Sequence, residues 1–156
     1  MKKHKISYLI AGFLIFSFII MRFFNLSFSL PTTFKSMVEK QITKDKQIDI
    51  KDLDMNKTIL NIRIEKPFTS AKKIEEYETD DNDIISTLLN NELRFYKGGR
   101  FKESNEEYDL YIYFESFVRR YTVSEDYIKT FDGIYKILDK ENDLYESLKS
   151  LYNQVQ

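Results

Sequence analysis

The chain has 156 residues, with 24 Lys and Arg against 25 Asp and Glu, 42% hydrophobic residues, one His, no Trp and no Cys. Four of the 24 bases, Lys2, Lys3, Lys5 and Arg22, and none of the acids precede residue 31, so the body keeps 20 bases against 25 acids, a net of −5. That acidity argues against a nucleic-acid partner, and the lack of Cys excludes disulfides, thiolate metal sites, cysteine acylation and Cys nucleophiles.

From Ile6 to Phe24 the sequence ISYLIAGFLIFSFIIMRFF is interrupted only by Ser7, Gly12, Ser17 and Arg22. As a helix it would measure about 28 Å, close to the ~30 Å hydrocarbon layer of a bilayer. A transmembrane signal anchor is the expected element. Lys2, Lys3 and Lys5 are topogenic: they precede the span and hold the amino terminus in the cytoplasm, which puts the body outside. Arg22, two residues from the far end, is placed to snorkel to the headgroups. Cleavage after Ser29, in Ser27-Phe28-Ser29, is the alternative and gives a secreted body, although the small-x-small pattern is a poor peptidase site. His4 falls in the cytoplasmic tail, so the body has no His for catalysis.

Residues 25–46 read as a juxtamembrane stalk, with a competing reading in which Thr33 caps a short helix reaching Lys40 and carrying Phe34, Met37 and Val38. Gln47–Asp52 and Thr58–Lys66 read as strands joined through Asp54–Lys57, and Pro67 stops the second. Lys72–Thr79 fits a strand or a short charged helix. Asp80–Arg94 predicts a helix capped by Asp80 or Asp81, with Ile84, Ile85, Leu88 and Leu89 on one side. Gly98-Gly99 ends that helix, or ends a short strand over 93–97 that follows it.

Glu107–Val123 carries the clearest strand signal, two Tyr/Ile/Phe/Val runs broken at Glu115-Ser116, with the hairpin register left open. Tyr127–Phe131 then turns at Asp132-Gly133 into Ile134–Leu138, and Asp139 is the expected cap of a last helix with Leu144, Leu148, Leu151, Tyr145 and Tyr152 along one stripe. The class is therefore α+β: an amino-terminal transmembrane helix, then an antiparallel sheet with a carboxy-terminal meander packed by two helices. The boundaries are a cytoplasmic tail at 1–5, the anchor at 6–24, the stalk at 25–46 and an extracytoplasmic domain at 47–156.

Catalytic and metal motifs are not found, and no cofactor is expected. The ordinary nucleophile–His arrangements cannot be assembled in the body, and Ser36-Met-Val-Glu and Ser147-Leu-Lys-Ser both lack the Ser-x-x-Lys spacing. The acidic run from Glu75 to Asp83 lacks the EF-hand order and suits the start of a helix. Lys97-Gly-Gly-Arg-Phe-Lys102 lacks the phosphate-loop spacing and reads as a surface turn, with anionic headgroups or wall polymers as the functional alternative. Alternation in 107–123 puts Leu110, Ile112 and Phe114 on one face and Tyr111 and Tyr113 on the other. Arg119 and Arg120 fall on opposite faces, and one of them is placed to stack on Tyr111 or Tyr113. Tyr111, Tyr113, Arg119, Arg120 and Tyr121 form the candidate interaction face, because Tyr and Arg dominate binding hot spots.

The wording Tyr111-Ile-Tyr-Phe, Arg120-Tyr-Thr-Val, Asp132-Gly-Ile-Tyr-Lys-Ile and Leu144-Tyr-Glu-Ser-Leu resembles a small domain of unknown function on the extracytoplasmic side of Gram-positive membrane proteins and lipoproteins. The resemblance follows the order of elements over about 46–152 and lies mainly in 107–152. It implies an exported sheet domain with a closing helix and brings no catalytic residues. Without a Cys to acylate, the apolar helix is left as the anchor. The expected role is a single-pass, cell-membrane binding or regulatory module, not an enzyme, that meets a protein partner. A carboxylate-dependent hydrolase acting on wall material, and an accessory subunit of a membrane complex, are the alternatives.

Overall fold

The computed structural model describes residues 10–17, 31–46, 58–67, 75–98, 104 and 106–155. Residues 10–17 are helical, with Phe13, Leu14, Ile15 and Phe16 exposed. Among the described residues no helix is long and apolar enough to cross a membrane. Only this central piece of the expected span at 6–24 is described; Lys2, Lys3, Lys5, Arg22 and Ser29 lie outside the described residues.

The body is α+β. Its elements in chain order are β1 (Thr32–Thr33), α1 (Phe34–Lys46), β2 (Ile59–Glu65), β3 (Glu76–Thr79), α2 (Asn82–Leu89), β4 (Glu92–Leu93), β5 (Phe95–Lys97), β6 (Tyr108–Phe114), β7 (Val118–Val123), β8 (Tyr127–Thr130), β9 (Gly133–Ile137) and α3 (Asp143–Tyr152). Seven strands form one sheet in the order β3-β2-β6-β7-β8-β9-β5, with every pair antiparallel, while β1 and β4 make a separate two-stranded pair.

The expected stalk is corrected at α1. Thr33 Oγ1 accepts the Ser36 N–H at 3.2 Å, which caps the helix as the competing reading required. The apolar stripe does not end near Lys40: Phe34, Met37, Val38 and Ile42 recur at helical spacing and are all buried. Phe34 packs edge-on against Tyr121 at 5.1 Å. A segment with that much apolar surface lies in the core rather than standing in water, so among the described residues three helices, not two, pack on the sheet.

The chain from 47 to 57, including the first strand and turn of the expected hairpin, lies outside the described residues. The described neighbours of β2 are β3 and β6. The undecided segment before Thr79 resolves as an edge strand, with Tyr77 opposite Ile64. Helix α2 is shorter than expected. Asp81 accepts the Asp83 N–H at 2.9 Å at its start, and Asn91 Nδ2 donates to the Leu88 carbonyl at 3.1 Å at its end. A side chain that binds the last carbonyls stops the helix before Glu92, and β4 and β5 follow.

The β6–β7 hairpin pairs Tyr108 with Val123 and Tyr113 with Val118, and Phe114 N donates to the Phe117 carbonyl at 2.9 Å across Glu115-Ser116. The Phe114 and Phe117 rings stack at 4.5 Å, which supplies the register that the turn residues themselves do not specify. In the β8–β9 turn Gly133 has φ +141°, and a Cβ there would lie 3.2 Å from Lys97 Cε.

Asp139 is not the cap of α3. Asn142 is: its Oδ1 accepts the Tyr145 N–H at 3.2 Å and its Nδ2 donates to the Ser124 carbonyl at 2.8 Å. Asp139 instead accepts the Arg94 N–H at 2.7 Å and the Arg94 Nε–H at 2.5 Å, joining the loop before α3 to the link between β4 and β5. Leu144, Leu148, Tyr145 and Tyr152 are buried as their stripe required, with Leu151 partly so.

Candidate interaction face

Strand pairing sorts the side chains into two faces. Ile62, Ile64, Leu110, Ile112 and Phe114 are buried with the helices. Behind them, cross-strand rows run over the other side: Arg63 opposite Tyr111 opposite Arg120, and Asn61 opposite Tyr113 opposite Val118. The third row runs from Glu65 through Asp109 and Thr122 to Lys129.

The middle of this face is a stack of rings and guanidinium groups. Arg63 Cζ lies 4.8 Å from the Tyr111 centroid and 5.6 Å from that of Tyr113, and Arg120 Cζ lies 5.9 Å from Tyr111 on the opposite strand. Tyr111 is thus held between two cations. Partial burial, then a hydrogen bond with Glu65, pushes the Tyr111 phenol above its usual range against the pull of Arg120, so it remains a neutral donor at physiological pH.

Beneath the stack lies an anchoring carboxylate. Asp109 accepts Thr122 Oγ1–H at 2.6 Å and Arg120 Nη2–H at 2.7 Å. The Asp109 side chain is 3% exposed, whereas that of Arg120 is 56% exposed, so one end of this pair is buried and the other reaches solvent. The hydrogen bond from Arg120 to Asp109 is the main reason that the guanidinium is held even more firmly protonated than usual. Asn61 Nδ2 donates to Glu78 at 3.0 Å and Arg63 lies 3.8 Å from Glu76, so the acids of edge strand β3 flank the stack.

Three of the five sequence-designated residues, Tyr111, Tyr113 and Arg120, share this face. Two do not. Tyr121 pairs with Leu110 and is fully buried on the helix side, where burial pushes its phenol strongly upward. Arg119 pairs with Ile112, on that same side, with Cζ 5.0 Å from the Phe117 ring and 4.9 Å from the Phe131 ring at the hairpin end. Counting residues from Arg120 settles both, since adjacent positions in a strand point to opposite sides. Arg63 and Asp109 were not designated, yet the alternation of Ile62 and Ile64 already turned Arg63 outward.

Two other polar clusters among the described residues are each gathered around one carboxylate. Glu106 accepts from Tyr145 OH at 2.9 Å, Tyr108 OH at 3.0 Å, Lys149 at 3.2 Å and Lys66 at 3.3 Å. The Tyr145 hydroxyl leads in holding this carboxyl down at about 2, with Tyr108, Lys149 and Lys66 also overcoming the upward push of burial. Asp132 accepts from Thr130, Lys97, Gln41 and Tyr135, so Lys97 of the basic turn is engaged within the fold, while residues 99–102 of that turn lie outside the described residues. Asp81 and Asp83 of the acidic run serve the start of α2, and among the described residues no three metal-ligating side chains gather. The geometry offers phenol hydroxyls, flat rings and a partly solvated guanidinium, residue types that are frequent at binding hot spots.

No family model, curated protein or solved structure matches the chain.

Proposed function

We propose that this chain is a single-pass, membrane-anchored module whose body lies outside the cell and binds a protein partner, without catalysing a reaction. The observation that carries the reading is the sheet face, uncovered by any helix among the described residues, on which Tyr111 lies between Arg63 and Arg120, beside Tyr113. Planar aromatic rings and guanidinium groups supply contact area at low entropic cost and bond backbone carbonyls or carboxylates of a partner. The apolar stretch 6–24, preceded by Lys2, Lys3 and Lys5, supports the anchor and its orientation. The likeness of 107–152 to extracytoplasmic domains of membrane proteins agrees with this arrangement.

The test is crosslinking in membranes from cells expressing the full chain, followed by comparison with Tyr111→Ala and with a chain lacking residues 1–30. A partner held by the intact chain and lost with Tyr111→Ala supports the reading. Equal recovery by the intact and substituted chains removes the face as the binding surface.

A further inference from the structure

On the helix side of the molecule, well away from the Tyr face, α2 and α3 leave a groove of ≈ 690 Å³ between them. Its floor is apolar: Leu88 is buried, and Ile84 and Leu151 are partly buried against the core. Its rim is acidic, made by the exposed side chains of Asp83, Asp143 and Glu146. None of these three carboxylates has an ion-pair partner among the described residues. Among the described residues no base lines the groove, and Lys149, the one base of α3, commits its ammonium to a hydrogen bond with Glu106 at 3.2 Å while feeling Glu146 only through space. We infer that this groove docks a cationic amphipathic helix of a partner protein, with apolar side chains on Ile84, Leu88 and Leu151 and Lys or Arg side chains toward Asp83, Asp143 and Glu146.

Three features select that occupant. The lining positions run along both helices from Asp83 to Asn91 and from Asp143 to Leu151, a track of roughly 12 Å that matches two turns of a third helix. A helix laid in such a track reads its floor with apolar residues at i, i+3 and i+4, the helix-in-groove mode. The rim is of one sign, so it attracts a cationic helix and repels an anionic one before contact. The same sign disfavours the anionic surface of a bilayer as the occupant.

The absence of Cys gives a clean probe, because Ser150→Cys on the groove wall provides a single labelling site. The full chain carrying a fluorophore there, in uncharged detergent micelles, is titrated with three synthetic helices: Leu/Lys amphipathic, Leu/Gln amphipathic and Lys/Ser without an apolar face. The expected result is a saturable signal with the Leu/Lys helix alone, weakened at least tenfold in Asp83→Asn/Glu146→Gln and unchanged in Glu125→Gln/Asp126→Asn, whose acids are exposed in the β7–β8 turn. Circular dichroism melting verifies that each variant is folded, and a misfolded pair is replaced by Glu146→Gln alone, for which at least a threefold weakening is expected. Equal binding of the Leu/Gln helix, equal binding of the Lys/Ser helix, or equal affinity in the groove and turn variants overturns the inference.

Discussion

Arg63 stands over the Tyr111 ring, 4.8 Å from its centroid, because β2 and β6 pair these residues directly on the side of the sheet away from the helices. The contact turns a flexible cation and a ring into one rigid, partly exposed unit, which reduces the entropy lost when a partner binds it. Removing the ring with Tyr111→Ala is expected to weaken partner binding by about 2 kcal/mol or more, as at other hot spots, and to cost the fold only about 1 kcal/mol through its lost cation–π contacts. Tyr111→Phe retains the stack and loses only the hydroxyl, so it should retain most of the affinity. Titration of the two variants against the crosslinked partner measures the difference.

The Asp109–Arg120 pair predicts an asymmetry. Arg120→Ala leaves a carboxylate that is 3% exposed with Thr122 as its remaining described donor, and should destabilise the fold by about 3 kcal/mol. Asp109→Ala leaves a guanidinium that is 56% exposed and already solvated and orphans only the neutral Thr122 hydroxyl, so its cost should be smaller, about 1–2 kcal/mol. Urea denaturation of both variants tests the ordering.

Glu106 predicts a pH dependence with a definite sign. Its carboxyl is lowered from 4.5 to about 2 by Tyr145 first, with Tyr108, Lys149 and Lys66 adding to it, so its contribution is complete above about pH 4.5 and is lost as the pH falls toward 2. Because the side chain is 37% exposed, solvent screening limits that contribution to about 1 kcal/mol. Glu106→Gln should therefore be less stable than the parent at neutral pH, and the gap should close on acidification. Denaturation midpoints followed across that range measure it.

Helix α1 predicts that the domain begins well before residue 47. Phe34 is fully buried against Tyr121, and Phe34→Ala should cost about 3–5 kcal/mol. Lys35→Ala, one position along on the same helix and only partly buried, should stay within about 0.5 kcal/mol. Thermal melting distinguishes this helix from a stalk, for which both substitutions would be neutral.

The alternation of Leu110, Ile112 and Phe114 with Tyr111 and Tyr113 made the two faces of β6 readable from residues alone, because a period of two maps directly onto burial. The capping of α2 was readable to within one residue, Asp80 or Asp81, because a cap is a local hydrogen bond, and Asp81 is the one that makes it. What the residues did not disclose depended on distant partners. The stripe of α1 is buried through Ile42 in a core whose other members are distant in sequence, Phe34 meeting Tyr121 across most of the chain, and Asn142 outcompetes Asp139 as a cap because its amide also reaches the Ser124 carbonyl. Within the candidate face, Tyr121 and Arg119 were grouped by residue type rather than by register, and one count of alternation from Arg120 separates them. Asp109 as the buried anchor of Arg120 required the β6–β7 register, which Glu115-Ser116 left open.

The most direct test of the account uses the missing cysteines once more. Val118 is 43% exposed and lies beside Tyr113 on the proposed binding face, so Val118→Cys gives the full chain a single thiol at that surface. Intact cells expressing this variant are treated with a membrane-impermeant maleimide, with and without prior permeabilisation. The account predicts full labelling on intact cells and no gain on permeabilisation. Labelling only after permeabilisation would contradict it.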